Sequence, residues 1–206
     1  MQLPIYIEDE PSVDKLTSDS NFNALSKKSA FKKAIKNANR DANFDEIIKE
    51  CGGLPENNQV VFIKTNGCSD TGSIYTHIAN NHDLDTLYLS TWIISRENLE
   101  RICKDIDSGK LKMLYFVVSK RLKELKKSNY AFLIEQMEKR KDKMKIKVCN
   151  SHAKTFSVST TDGNYFTVTG SGNWTENPRI ENYVIFNDIN AFNHNKEWME
   201  EIINGR

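Results

Sequence analysis

The chain has 206 residues, enough to bury the core of one domain with an appendage, and its length alone does not demand two. Its 29 Lys and Arg against 28 Asp and Glu leave a net charge of +1, which excludes a uniformly basic, histone-like protein and makes any nucleic-acid surface a matter of local clustering. No run approaches the roughly 18 apolar residues of a membrane span, and the opening MQLPIYIEDEP has no basic stretch followed by an apolar one, so a soluble, cytoplasmic protein without membrane contact is expected.

Residues 1–21 mix acidic and turn residues after the apolar LPIYI and read as an arm. Over 22–40, Phe22, Leu25, Phe31 and Ile35 share one face of a predicted helix whose other positions carry Lys27, Lys28, Lys32, Lys33 and Lys36, an ordinary solvated face. A short helix at 44–51 ends at Gly52-Gly53 with Pro55 beyond, and the main domain is placed at 57–206, leaving 1–56 as an arm and basic, mainly helical extension. From there strands and helices alternate: VVFIK at 60–64, a helix at 70–81, TLYLS at 86–90, a helix at 95–107 with Ser95 as N-cap, KMLYFVV at 112–118, and a charged helix at 119–143 interrupted near Ser128-Asn129. This alternation predicts an α/β domain whose mostly parallel sheet is covered by helices on both faces. A strand at 183–186 and a helix at 191–203, with Phe192, Trp198, Ile202 and Ile203 available for packing, close the chain. The four cysteines form no CxxC pair and the four histidines complete no metal-ligand spacing, so reduced thiols and no metal or other cofactor are expected.

The chemistry concentrates in 150–181, NSHAKTFSVSTTDGNYFTVTGSGNWTENPRIE. His152 and Lys154, two apart at the start of an alternating run, share one face of a strand. Asp162-Gly163-Asn164 separates two alternating runs at 155–160 and 165–169, a strong hairpin signal, and the return strand brings Ser171 and Asn173 of Gly170-Ser171-Gly172-Asn173 back toward His152 and Lys154. A nucleophile, a cation and two neutral donors beside a Gly-flanked turn suit a phosphate ester, whose oxygens require positive charge and hydrogen bonds in the transition state. Taken singly, a His or Lys at a strand start and a GSGN turn are ordinary; their order within one hairpin is what points to a site.

These residues resemble the phospholipase D superfamily, whose half-site motif is HxK, then an Asp, then GSxN, matched here by His152, Lys154, Gly170, Ser171 and Asn173. The NPRIE at 177–181 looks like the tail of small single-motif members, many of them bacterial or phage proteins, in which the Glu supports the His; Glu181 holds that place. The family's Asp follows the Lys more closely than Asp162, which has seven residues between, so Asp162 is assigned to the hairpin turn and no catalytic role is carried onto it. The resemblance implies a phospholipase D-like half-domain, mixed and mostly parallel, over about 57–203. It also implies metal-independent phosphodiester cleavage: His152 as the nucleophile forming a phosphohistidine, Lys154 and Asn173 holding the non-bridging oxygens, Ser171 positioning phosphate or Glu181, and Glu181 orienting His152. The superfamily builds one site from two motifs, and only one HxK with a following GSxN is present, so the second His must come from a second copy in a homodimer.

For the substrate, Lys120, Arg121, Lys123, Lys126 and Lys127 form one basic cluster, and Lys139, Arg140, Lys141, Lys143, Lys145 and Lys147 a second that ends before His152. Basic segments leading to a phosphodiester site favour DNA or RNA, with Lys143, Lys145 and Lys147 as substrate-binding candidates beside Lys154, Ser171 and Asn173. A solvated charged helix explains the same clusters, because Glu124, Glu135, Glu138 and Asp142 are interspersed. The leading expectation is a nuclease-type hydrolase. A catalytically inactive module that grips nucleic acid or protein, in a phage or host-defence setting, is the alternative, and phospholipid hydrolysis ranks below both. Trp92, after the second strand, is divided evenly between core packing and substrate stacking.

Overall fold

The structure, a computed structural model, describes residues 44–66, 70–175 and 178–205; the arm and the helix expected at 22–40 lie outside them. The elements in chain order are α1 (Phe44–Glu50), β1 (Gln59–Asn66), α2 (Thr71–Asn81), β2 (Leu84–Thr91), α3 (Arg96–Asp107), β3 (Leu111–Ser119), α4 (Lys120–Leu125), α5 (Lys127–Lys139), β4 (Met144–Cys149), β5 (Thr155–Thr160), β6 (Tyr165–Gly170), β7 (Ile180–Asn187) and α6 (Ile189–Asn204). The helices begin where the sequence supplies caps: Asp70 accepts from the Ser73 amide, Ser95 from that of Asn98 and Asp188 from those of Asn190 and Ala191. The charged helix expected at 119–143 is two helices, broken at Lys126 (φ −137°, ψ 62°), just before the predicted interruption.

The strands form one mixed seven-stranded sheet in the order β1-β7-β6-β5-β2-β3-β4. The ladders β2–β3 and β3–β4 are parallel, while β1–β7, β7–β6, β6–β5 and β5–β2 are antiparallel, so β1, β2, β3, β4 and β6 point one way and β5 and β7 the other. Alternation along each strand builds two layers. Val61, Ile63, Leu87, Leu89, Leu114, Phe116, Phe156, Val168 and Ile185 face the larger core, which α1 to α5 cover with residues such as Phe44, Ile48, Ile74, Tyr75, Leu99, Ile102, Leu122 and Leu133. On the opposite face Tyr88 and Val117 meet Phe192 and Met199 of α6, with Trp198, Ile202 and Ile203 packed around them. Helices therefore lie on both faces, as the alternation predicts.

The turn between β5 and β6 sits at the sheet end remote from His152. There Asp162 Oδ2 lies 2.9 Å from His82 Nδ1, and hydrogen bonding from Thr160, with help from His82 and Asn164, holds its carboxyl down at about 2. A depressed carboxylate stabilises the fold above its ordinary value of 3.8, and that contribution is lost as pH falls through about 2. Asp162→Asn is thus expected to lower stability at pH 7 by no more than about 1 kcal/mol, the group being largely exposed, with the deficit shrinking below pH 4 in denaturant titrations. A deficit independent of pH would show that the pair does not act through charge.

Candidate active site

Every parallel strand delivers its carboxyl end to one edge of the sheet, the edge at which open α/β sheets place ligands. Thr91 ends β2 there, Ser119 ends β3 and Cys149 ends β4, and Ser119 pairs directly with Cys149. Because β5 runs the other way, the residues just before it emerge at the same edge: His152 and Lys154 lead into Thr155, and Thr155 pairs with Thr169, two residues before Ser171. The Gly170 amide donates to the Lys154 carbonyl at 3.2 Å, closing the hairpin beneath both halves of the motif.

His152 is exposed, and among the described residues its ring meets two neighbours. Lys154 Nζ stands 3.3 Å from Nδ1 and 3.5 Å from Nε2, and donates to the His152 carbonyl at 3.2 Å. The Trp92 indole lies with its centroid 5.0 Å from the imidazole centroid at 57°, and Lys154 Nζ is 5.9 Å from an indole ring centre. Partial burial pushes the Lys154 ammonium below its ordinary pKa, and the Glu181 carboxylate opposes that shift.

Ser171, Asn173 and Glu181 arrive from the other side. Glu181 is buried at 5 % exposure on β7 and accepts a hydrogen bond from Ser171 Oγ, which also accepts from the Asn182 amide at 3.0 Å. Its cross-strand partner Thr65 ends its side chain in a buried hydroxyl with no hydrogen-bond partner among the described residues. The two glycines of the motif permit this approach. A Cβ on Gly170 would run into the Asn182 carbonyl and come within 2.8 Å of Tyr183 Cδ1, and one on Gly172 would strike the Tyr183 ring.

The GSGN segment looks like a flexible turn in the sequence, yet two helix N-termini hold it. Thr71 donates its amide to the Asn173 carbonyl (3.3 Å) and its hydroxyl to the Gly172 carbonyl (2.8 Å). The Ser95 amide donates to the Trp174 carbonyl at 2.6 Å, and Asn98 Nδ2 donates to that carbonyl (3.1 Å) and to Asp70 (2.7 Å). Asn173 Oδ1 is buried with no hydrogen-bond partner among the described residues, so the side-chain amide, whose two ends can exchange by a flip, keeps capacity for a ligand. Thr71 and Asn98 went unnoticed in the sequence because they act on backbone carbonyls, which leave no residue signature.

The basic candidates divide. Lys120 follows Ser119 at the carboxyl end of β3, and Lys147 lies two residues before Cys149 on β4, so both belong to the strand ends at the edge that carries His152. Lys145, further down β4, sits 5.3 Å from the Tyr115 ring centre. Lys143 precedes β4 near Asp107, a full strand from the site, roughly 20 Å at about 3.3 Å per residue. Lys139 and Arg140 pair with Glu135 and Asp107, and Arg121 with Glu124. Ser119 caps α4, and His194 is exposed on α6. Among the described residues no group of three His, Cys, Asp or Glu is arranged to hold a metal ion, and no helix is long and apolar enough to cross a membrane.

No protein-family model matches the sequence, and no curated protein matches it. Solved structures superpose on the chain, and those with a TM-score above 0.5 share its fold. Polyphosphate kinase from Porphyromonas gingivalis superposes with a TM-score of 0.52 at 14 % identity over 71 % of this chain and 26 % of that one. Phosphatidylserine synthase from Haemophilus influenzae gives 0.51 at 15 % identity over 70 % of this chain and 38 % of that one. Nuc from Salmonella typhimurium, a phospholipase D family member, gives 0.48 at 14 % over 70 % and 93 %. The chain thus spans about a quarter of the kinase and well under half of the synthase.

Proposed function

We propose, for a chain whose fold is that of the phospholipase D superfamily, a metal-independent phosphodiesterase that cleaves DNA or RNA through a phosphohistidine at His152. The observation that carries this reading is the ammonium of Lys154 set against both ring nitrogens of an exposed imidazole, at the strand edge that also holds Ser171 and Asn173. A phosphate oxygen entering there competes for the ammonium and frees a ring lone pair beside phosphorus. That nitrogen attacks, forming the P–N bond as the P–O bond to the leaving group breaks. The leaving oxygen takes its proton from the imidazolium of His152 of the partner subunit. Water then attacks phosphorus, its proton passes to that imidazole, and the P–N bond breaks. Lys154 neutralises charge on the equatorial oxygens and the Asn173 side-chain N–H donates to them, while the clasp between Ser171 and Glu181 fixes the loop that carries Asn173.

The names of the two structures of like fold refer to a polyphosphate and a phosphatidyl lipid, in keeping with chemistry at phosphate. Lys120 and Lys147 toward the same edge favour a polyanion over a lipid. The binding-only alternative is favoured by one feature: Glu181 engages Ser171, and the His152 ring meets Lys154 and Trp92. The test is cleavage of labelled single- and double-stranded DNA and RNA, and of a phosphatidyl lipid, in EDTA. Nucleic-acid cleavage that persists in EDTA is expected, as is a dimer mass by light scattering. Binding without turnover selects the alternative, lipid cleavage alone selects the third reading, and a strictly monomeric active protein rejects the shared site.

Lys154 has to be protonated to hold phosphate, and burial lowers its pKa. The alkaline limb of kcat/KM is therefore expected below the ordinary lysine value of 10.5. Glu181→Gln removes the charge that opposes the shift and is expected to move this limb further down. Movement toward higher pH would show that another group sets it.

A further inference from the structure

Trp92 stands beside the site and outside the two apolar clusters. It follows β2 and is only partly buried, although Ile93 and Ile94 beside it belong to the larger cluster. Its neighbours are the two groups assigned to the reacting phosphate: the His152 imidazole, 5.0 Å between ring centroids, and Lys154 Nζ at 5.9 Å. A partly buried indole beside a polar site offers a π-face to a ligand. Of the two readings the sequence leaves open for this residue, its contacts with His152 and Lys154 favour the stacking role.

We infer that Trp92 is a stacking platform for the base of the nucleotide whose phosphate lies on His152, and that the substrate is accordingly single-stranded or locally unpaired nucleic acid. This deepens the reading of the site as a nuclease. With phosphorus at the imidazole, the group one sugar away falls over the indole. In a duplex that base is paired and covered on both faces by its neighbours, so it reaches Trp92 only by leaving the stack. An unpaired strand presents the base at no such cost, and stacking tolerates any sequence because every base has a π-face. Cations stand along the same edge: Lys147 pairs with Val117, Lys120 follows Ser119, Ser119 pairs with Cys149, and Val118 before it pairs with Thr91 next to Trp92. A backbone can thus run from His152 along the ends of β2, β3 and β4. An aromatic platform beside such a line of ammonium groups is the pattern of single-strand binding.

The test separates binding from turnover. A fluorescent single-stranded 20-mer and the same sequence as a duplex are titrated into the full chain carrying His152→Ala, with and without Trp92→Ala or Trp92→Phe. In that background the single strand should bind at least roughly ten-fold tighter than the duplex, Trp92→Ala should remove about ten-fold of single-strand affinity, and Trp92→Phe should restore most of it. One abasic nucleotide scanned along the oligonucleotide should, at a single position, remove the difference between chains with and without the Trp92→Ala substitution. Equal affinity for the two forms, or an alanine variant that binds like its parent at an unchanged melting temperature, overturns the inference. If Trp92→Ala does not fold, the abasic scan on the His152→Ala parent decides, one position being expected to lose about ten-fold in affinity, and an abasic effect at no position overturns the proposal. Failure of the nuclease reading looks different: wild type cleaves nothing while the Trp92-dependent preference stands.

Discussion

His152→Ala should lower phosphodiester cleavage by roughly a thousand-fold or more, since it removes the attacking atom and not merely a contact. Its fold should survive, because the side chain is exposed and its polar neighbours are local. The sharper version uses mixtures. If two copies of His152 act on one phosphate, one as nucleophile and one as acid, a dimer of one wild-type and one variant chain lacks one of the two roles. Equal amounts of the two chains, unfolded together and refolded, should then show about a quarter of the activity of the same total of wild type, the share of dimers carrying both imidazoles. Independent sites would give about half. The measurement thus decides whether the single HxK motif is completed from outside the chain, and needs no structure of the dimer.

The hairpin and both motif halves were legible because they are local. Alternation assigns β5 and β6, Asp162-Gly163-Asn164 marks the turn, and a two-residue pleat puts His152 and Lys154 together. Strand order was not legible. The succession of βα units says nothing of β1 lying at the far edge of the sheet beside β7, with β5, β6 and β7 inserted between it and β2. That placement brings Thr65 opposite Glu181, a pairing across more than a hundred residues that no local pattern encodes. The edge strand β4 is hard to see in the sequence, because Lys145 and Lys147 make MKIKVC resemble the end of the charged helix. Gly52 and Gly53, with φ of 84° and 103°, stop α1 where the sequence says, yet Phe44, Ile47 and Ile48 ahead of them share the core of the sheet. An amphipathic turn of seven residues does not reveal which surface its apolar side will find.

Gly170→Ala should be the most destabilising single-methyl change at the site, about 3 kcal/mol in chemical denaturation. Gly170 pairs with Tyr183 at the end of the β6–β7 ladder, and the added carbon would meet the Asn182 carbonyl and Tyr183 Cδ1 at 2.8 Å. Neither neighbour can yield freely. The Asn182 carbonyl accepts from the Ser171 amide at 3.0 Å, and Tyr183 is fully buried, so the strands must part and carry Ser171 away from Glu181. Ser171→Ala provides the contrast, since it deletes the hydroxyl of the clasp but leaves the backbone ladder whole. It should cost distinctly less stability than Gly170→Ala while still lowering turnover, because the buried Glu181 carboxylate loses one donor and the loop bearing Asn173 loses its tether. If the glycine variant proved as stable as wild type, β6 and β7 would have slack where the geometry allows none, and fixing of Asn173 by the Ser171–Glu181 clasp would fall with it.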